Sequence, residues 1–599
     1  MRIASRLRPS PPAAPAAPST PPDKPARPKR RAAVQLAGLE SLVPDRPRLS
    51  VVILAHPALR SQVRPWLAEF EDRTVFVLSP DEVPEWQLEN SSAEHVSVAD
   101  LTMLGRKLRY LGAVDVIVDL LPDELLPIGA TSQLDLFANV FRDLRKGGAY
   151  ILDRRSAPGV SSIEGLTTWL QMLTAVDDPE AVKQLSWRDA EIAKAAGTVA
   201  VGRDLVVVTK RLRHFYKLSD SQVDRLLPAR EPSITVTPLE RRPGGEFESR
   251  ATVVSHSPGF AEETMPSLVT YPELHLRRYE GKIALAGQTL MYTGHTILPD
   301  SFRWHLAANP DNPRLKSVSR KFARIESAHV PQRKLAGDYY QLDCAYPHHF
   351  GHLTTEVISR LWGWDTAKRD NPSLKAIFHI KPKSRKQPSL EKALFTAYGI
   401  AEDDIVWVNE PVWLSSVTSA TPMWHNETPH YVHPDMVATW RRLGEALGRS
   451  AEDAPRPERI FVSRGPSLRH RACRNTDAVE AYFASRGFQV IYPETMPMAE
   501  QVVTFRHARV VAGFGGSAMF NLMHAQHLEG VILLNHEAYT ARNEHLFTSL
   551  VGGQVHYFWS APDVPHPDEG WNLDAFFSGW EFDFDRNGAE LDEVLTQLG

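Results

Sequence analysis

The stretch Arg509-Val-Val-Ala-Gly-Phe-Gly-Gly-Ser-Ala-Met-Phe-Asn-Leu-Met523 constrains this chain more than any other. An apolar strand runs into a glycine turn and straight on into a helix. Without Cβ atoms at Gly513, Gly515 and Gly516, backbone amides can approach a ligand closely, and a helix starting near Ser517 aims its positive end at the same point. A second apolar strand, Gly530-Val-Ile-Leu-Leu-Asn535, returns after the helix. The strand-helix-strand unit implies a parallel sheet and puts the turn where open α/β sheets bind ligands. The same turn also forms simply to let a helix pack closely on its strand, so the glycines need support from elsewhere.

That support lies one unit earlier. Arg459-Ile-Phe-Val-Ser-Arg464 ends in a cation, with Arg469, Arg471, Arg474 and Asn475 close behind. A guanidinium fork matches phosphate oxygens better than an ammonium does, so a cluster facing the glycine turn reads as a seat for a nucleotide diphosphate. Any one of these arginines alone reads as part of a solvated loop.

With 599 residues and 43% hydrophobic content, several ordinary globular domains are expected. No uncharged apolar run reaches bilayer-spanning length, and the N-terminus has no continuous apolar segment of the secretory kind; cytoplasmic residence is the expectation. Cys344 and Cys473 suggest neither a disulfide framework nor a zinc site. A net charge of -4 gives no bulk attraction to nucleic acid. Residues 1–46 read as a disordered Pro/Ala/Arg-rich tail, whose Lys29-Arg30-Arg31 would support at most weak peripheral association with a membrane or an acidic partner.

Residues 47–215 alternate apolar strands and helices in a Rossmann-like pattern, beginning Leu49-Ser-Val-Val-Ile-Leu54, Thr74-Val-Phe-Val-Leu78 and Val114-Asp-Val-Ile-Val-Asp119. Residues 216–250 read as a helix and linker. Residues 251–440 and 441–599 read as two further α/β lobes with a cleft between them. Short antiparallel strands are expected from Tyr279 to Ser301, and Asp583-Phe-Asp585 is expected in a surface hairpin rather than at a metal. The catalytic candidate is Pro347-His-His-Phe-Gly-His-Leu-Thr-Thr-Glu-Val-Ile-Ser-Arg-Leu-Trp362, where His352, Glu356 and Arg360 recur every four residues on one expected helix face. A carboxylate one turn from a histidine orients it and raises its basicity, as a general base on a sugar hydroxyl requires. A plain Glu356–Arg360 helix pair beside a packed histidine is the structural alternative.

From about Tyr339 onward the chain resembles glycosyltransferase family 61, particularly its bacterial members linked to capsular and other surface polysaccharides. The resemblance rests on His352, Glu356 and Arg360; on Ser463, Arg464, Arg471 and Asn475; on the acid-led pair Glu500-Gln501; and on the glycine turn ending in Asn521. It implies a GT-B pair of lobes and inverting transfer from a nucleotide sugar, most often a UDP-sugar, to a glycan hydroxyl without an obligatory metal. On this reading His352 is the catalytic base, with Glu356 orienting it or acting itself, and the donor site falls to Arg464, Arg471, Asn475, Gly513, Gly515, Gly516, Ser517 and Asn521. Glu544 is added as an acceptor for the ribose hydroxyls. Many members carry His-Gly-Ala-Gly at the turn, whereas Gly515 stands here where the imidazole would be. Residues 47–215, through Phe141 to Asp153 and Val199 to Lys210, resemble class I methyltransferases, with Ala55-His56-Pro57 replacing the glycine-rich turn that cradles S-adenosylmethionine. Methyl transfer using Asp100 and Asp119, and non-catalytic glycan binding, are the alternative readings.

Overall fold

The computed structural model describes residues 36, 38–47, 49–71, 73–79, 93–155, 163–256, 265–381, 388–451, 453–465 and 470–599. The chain is mixed α/β, built on three large sheets of seven, twelve and six strands.

The first sheet has Ser50–Leu54 at its centre, paired in parallel with Thr74–Ser79 on one side and Val114–Asp119 on the other. Glu94–Ser97 and Leu144–Asp153 extend it in parallel, and Leu205–Lys210 with Ala196–Val201 close it as an antiparallel hairpin. Val51, Val52 and Ile53 are wholly buried, as a central strand covered on both faces must be. The expected Rossmann-like sheet and closing hairpin are therefore present. The tail is corrected at its C-terminal end: Leu36 and Val43 are buried in this core, with Leu39 and Leu42 packed against it, because these four supply an apolar face. Residues 1–35, with Lys29-Arg30-Arg31, lie outside the described residues.

The acids of this unit are used to hold the fold. Asp100 caps helix Leu101–Leu111 by accepting the Met103 N–H at 2.7 Å. Asp119, fully buried, accepts the Leu121 N–H at 3.0 Å and the Tyr150 hydroxyl. The turn at Ala55-His56-Pro57 is closed by the His56 ring itself, whose Nδ1 accepts the Ala58 N–H at 3.2 Å.

Residues 216–250 are not a linker. Phe215–Lys217, Thr235–Arg242 and Gly245–Glu248 are strands, the first two within the twelve-stranded sheet, with helix Val223–Arg230 between them. Thr235–Arg242 has no buried residue and its register against Leu274–Leu285 shifts once, so it carries no clean period-two signal in sequence. The short antiparallel strands expected from Tyr279 to Ser301 are present as Met291–Thr293 and Thr296–Ile297, paired on the end of the longer strand Leu274–Leu285, whose register against Val412–Ala420 shifts at Gly281. Beyond it lie four mutually parallel strands, Val412–Ala420, Asp338–Gln341, Lys375–His379 and Ile405–Val408.

The third sheet is wholly parallel, ordered Ala251–Ser255, Gly553–Ser560, Gly530–His536, Val510–Phe514, Arg459–Val462, Gln489–Ile491. Its edge strand, Ala251–Ser255, comes from far away in sequence, so the expected lobe boundary at residue 251 is crossed. One hydrophobic core joins the second and third sheets, running from Tyr340, Leu353 and Val357 to Val462, Phe520, Leu533 and Trp559. Asp583 caps helix Phe584–Gln597 through the Arg586 N–H at 2.9 Å, in place of the expected hairpin. Among the described residues no helix is long and apolar enough to cross a membrane.

Burial holds the Asp119 carboxyl up at about 6, above its ordinary 3.8, against hydrogen bonds from Tyr150 and Leu121 that pull it down. A raised folded value gives stability that is present below pH 3.8 and lost as pH rises through 6. Asp119→Asn is thus expected to gain about 1–3 kcal/mol on the wild type between pH 4 and pH 8. Hydrogen exchange of strand Leu144–Asp153, converted to opening free energies at both pH values, reads this difference.

Candidate active site

Strand Asp338–Gln341 leads within eight residues into the segment that carries the expected base. The segment is not one regular helix. A short α turn, Phe350–His352, passes into a π turn, Leu353–Val357, and then a 3-10 stretch, Ile358–Gly363. Mid-helix π turns re-aim side chains and occur often at functional sites. Here the change of pitch separates the expected triplet. His352 Nδ1 lies 2.5 Å from Glu356 Oε1, while Arg360 turns into the core, 3% exposed, and donates to the Ala420 carbonyl at 2.8 Å. The cation that pairs with Glu356 is Arg303, with Nε 2.6 Å from Oε1. Arg303 precedes Glu356 by about fifty residues, and nothing local in sequence marks it.

Burial alone would raise Glu356, but Arg303, His352 and Arg360 outweigh it and hold the carboxyl at about 2. The group is therefore a fixed carboxylate that orients His352 rather than a base in its own right. Tyr346 and His349 pack on the His352 ring, with centroids at 4.6 and 4.8 Å. Crowding by protein atoms, then the neighbouring His352, push His349 down to about 4, with Arg303 and Arg471 adding to the effect. Part of His349 still meets solvent, which tempers that shift.

The glycine turn lies at the C-terminal end of Val510–Phe514 and leads into the eight-residue 3-10 helix Ser517–His524. Its glycines have separate reasons. A Cβ on Gly513 would meet the Val462 carbonyl at 2.6 Å, so this position serves strand packing. A Cβ on Gly515 would fall 2.1 Å from Asn535 Oδ1, which accepts the Gly515 N–H at 3.1 Å. No side chain fits at 515, because the Asn535 amide from the next strand occupies that place. Gly516, at φ 144°, donates its N–H to Glu544 Oε1 at 2.7 Å. Two amides of the expected anion seat are thus taken by the protein itself, and only the first amides of the following helix, from Ser517, lack an intrahelical partner.

Glu544 is fully buried beneath the turn, with its Oε2 unpartnered among the described residues. Burial raises its pKa, opposed by the Gly516 N–H and by Arg471 and Arg542. Asn475 and Asn521 are also framework residues. Asn475 exchanges two 2.9 Å hydrogen bonds with the Phe582 backbone. Asn521 donates to Gln501 Oε1 at 3.0 Å, and Gln501 in turn donates to the Pro493 and Met496 carbonyls. This brace explains the Glu500-Gln501 pair.

Positive charge converges on the turn instead. The Arg471 guanidinium stacks 4.4 Å from the Tyr539 ring centre, and its Nη2 is the nearest atom to a Cβ built on Gly516, at 3.2 Å. Arg471 has φ 56°, an uncommon value for a side chain of this size, and its N–H donates to the Phe577 carbonyl. Burial, and then repulsion from Arg471, lower Arg464 to about 10, and it has no hydrogen bond or ion pair among the described residues. Arg474 points away to Asp563, and Arg469 lies outside the described residues. His536 ends strand Gly530–His536 with both ring nitrogens unpartnered and is 1% exposed. Burial, then Arg471, His566 and Arg464, keep it near 4 and hence neutral.

The two groups of residues meet at one contact. A Cβ on Gly351 would lie 3.0 Å from Ser517 Cβ and 3.1 Å from Phe520 Cε2. The start of the His352 helix therefore touches the start of the helix after the glycine turn. A polar bridge, Trp304 to Asn426 to Asn543 at 3.0 Å for each step, joins the same halves. Among the described residues no group of three or more His, Cys, Asp or Glu is placed to hold a metal ion.

The Glycosyltransferase 61 family model matches residues 350–532, from the His352 helix to strand Gly530–His536. No curated protein sequence matches the chain. Among solved structures it is similar to the MycE methyltransferase from the mycinamycin biosynthetic pathway, in complex with Mg, SAH and mycinamycin VI, at 16% identity and a TM-score of 0.22, over 29% of this chain and 45% of that one. The chain thus spans less than half the length of MycE. A fibrillarin/Nop5p complex (13%, TM-score 0.19, 28% and 74%) and the antibiotic-resistance methyltransferase Kmr (12%, TM-score 0.18, 29% and 92%) are similar to a like degree.

Gly351→Val places two methyl groups against Ser517 and Phe520, and is expected to lower turnover at least about tenfold by moving His352 off the arginines, with overpacking costing roughly 1–3 kcal/mol. Steady-state rates and thermal melting separate the two effects. Glu356, depressed from 4.5 to about 2, gives stability that is full above pH 4.5 and lost as pH falls through 2. Glu356→Gln should therefore flatten the wild-type loss of stability across that window, as read in denaturant midpoints at pH 5 and 2.5.

Proposed function

We propose that the Glycosyltransferase 61 domain of residues 350–532 makes this chain an inverting glycosyltransferase, moving a sugar from a nucleotide-sugar donor to a glycan hydroxyl. The observation that supports this reading is the Gly351–Ser517 contact, which sets the segment bearing His352 against the glycine turn that Arg471 approaches. Displacement at an anomeric carbon needs a base on the incoming hydroxyl and positive charge on the departing diphosphate.

His352, with Nδ1 turned to Glu356, presents Nε2 to the acceptor and takes its proton as the oxygen bonds to the anomeric carbon. The carbon–oxygen bond to the diphosphate breaks, and its electron pair leaves with the phosphate oxygen. Arg464 and Arg471, with the first amides of Ser517–His524, bind that charge. Attack from the face opposite the diphosphate inverts the centre. Glu356, kept ionised by Arg303, stabilises the imidazolium that forms. The four parallel strands of the twelve-stranded sheet and the wholly parallel third sheet, sharing one core, support a GT-B arrangement. A UDP-sugar donor and a role in surface or capsular polysaccharide synthesis follow from the family resemblance. Nothing in the geometry favours methyl transfer by the first sheet, whose Asp100 and Asp119 are spent on a helix cap and a buried tyrosine.

His352→Ala is expected to lower turnover by about 10²–10⁴-fold while UDP affinity stays within about twofold. Arg464→Gln should instead weaken UDP binding by about tenfold, the loss of one charge-assisted phosphate contact. A panel of nucleotide sugars assayed for transfer, with calorimetry for UDP, gives both numbers. Unchanged turnover in both variants would mean the site is elsewhere, and binding with no turnover of any donor would favour the glycan-binding reading.

A further inference from the structure

We propose that the cleft between the first sheet and the twelve-stranded sheet is a second ligand site, built for a small oxyanion carrying two or more negative charges, such as a diphosphate. The cavity measures about 570 Å³ and six cations line it: Arg46, Arg145, Lys146, Lys210, Arg211 and Arg213. That volume suits a ligand of diphosphate to nucleotide size rather than a polymer. None of these residues belongs to the domain described above.

The cations are aimed, chiefly by neutral groups. Arg145 Nε donates to the Ala113 carbonyl at 2.6 Å, and Lys210 Nζ to those of Arg142 and Leu144 at 2.7 and 2.5 Å. Arg211 donates to the Lys194 carbonyl at 2.8 Å and Arg213 to that of Gly294. A carbonyl fixes the direction of a cation without cancelling its charge. Asp115, buried behind the lining, lies 2.9 Å from Arg46 and 3.7 Å from Arg145, and two more buried or half-buried acids act on it, Asp143 on Lys210 and Glu231 on Arg145 and Arg213, so three carboxylates face six cations.

The charges also converge. His295, at the tip between strands Met291–Thr293 and Thr296–Ile297, is held at about 2, first by burial and then by Arg213, Arg145, Lys210 and Arg230. Its imidazole is neutral and so leaves the cationic field intact. Lys210 is 1% exposed, and burial foremost lowers it to about 7, so an arriving anion would also restore its full charge. Six like charges gathered at one cleft attract a multiply charged oxyanion, which can accept hydrogen bonds from several of their forks at once.

Pyrophosphate is the probe, titrated calorimetrically into the full chain carrying Arg464→Gln and Arg471→Gln, which removes the donor pocket as a competitor. One pyrophosphate is expected to bind, with affinity that falls as salt rises. Adding Arg145→Gln and Arg213→Gln should weaken it by about tenfold or more. If that pair lowers the melting temperature, Lys146→Gln with Arg211→Gln, both exposed side chains, serves in its place with the same expected loss. Absence of heat, or affinity within about twofold in either pair of cleft variants, would overturn the proposal. Neither result bears on sugar transfer.

Discussion

The candidate site depends on how closely two helix starts approach. Gly351 and Ser517 come from different lobes, and no Cβ fits at 351 without displacing Ser517 or Phe520. The contact lies in a continuous apolar core, so the distance from His352 to the arginines is set by close packing rather than by a hinge. The π turn after His352 belongs to the same arrangement. It lets His352 and Glu356 face the crevice while Arg360, only four residues on, is consumed by the core.

The glycine turn has been put to a different use from the one its sequence advertises. Asn535 and Glu544 take the N–H groups of Gly515 and Gly516, so those two amides are not open to a ligand. Charge from Arg471 and Arg464 takes their place, with Tyr539 supporting Arg471 by stacking. Glu544 then has a structural role. A buried acid under the turn holds Gly516 at a positive φ that only glycine adopts readily, and keeps Ser517 against Gly351. The ring of His536 lies near the same arginines, with neither ring nitrogen hydrogen-bonded among the described residues.

The first sheet shows how a familiar topology can be kept while its usual chemistry is absent from view. Its strand-end acids are a helix cap and a buried hydrogen-bond acceptor, and its first turn is closed by a histidine ring. The end of this sheet where Leu144–Asp153 begins and Leu205–Lys210 finishes is cationic, and several side chains there are held by backbone carbonyls.

Alternating apolar strands, the glycine turn, the Ser463-Arg464 strand end and the His352–Glu356 spacing were legible in the linear order, because each depends on neighbours a few residues apart. The parallel sheet around Val510–Phe514, the helix from Ser517 and the 2.5 Å dyad all follow from such local periodicity. Residues 216–250 were misread as a linker because a charged edge strand lacks an apolar run of its own. The partners of the site residues were beyond local reach. Arg303 for Glu356, Asn535 for Gly515, Glu544 for Gly516 and Gly351 for Ser517 are each fixed by chain segments at least twenty residues apart. Sequence by itself determined which groups could do the chemistry; only the tertiary structure decided which of them were left free to do it, because a buried polar group must find a partner and takes the nearest one the packing provides.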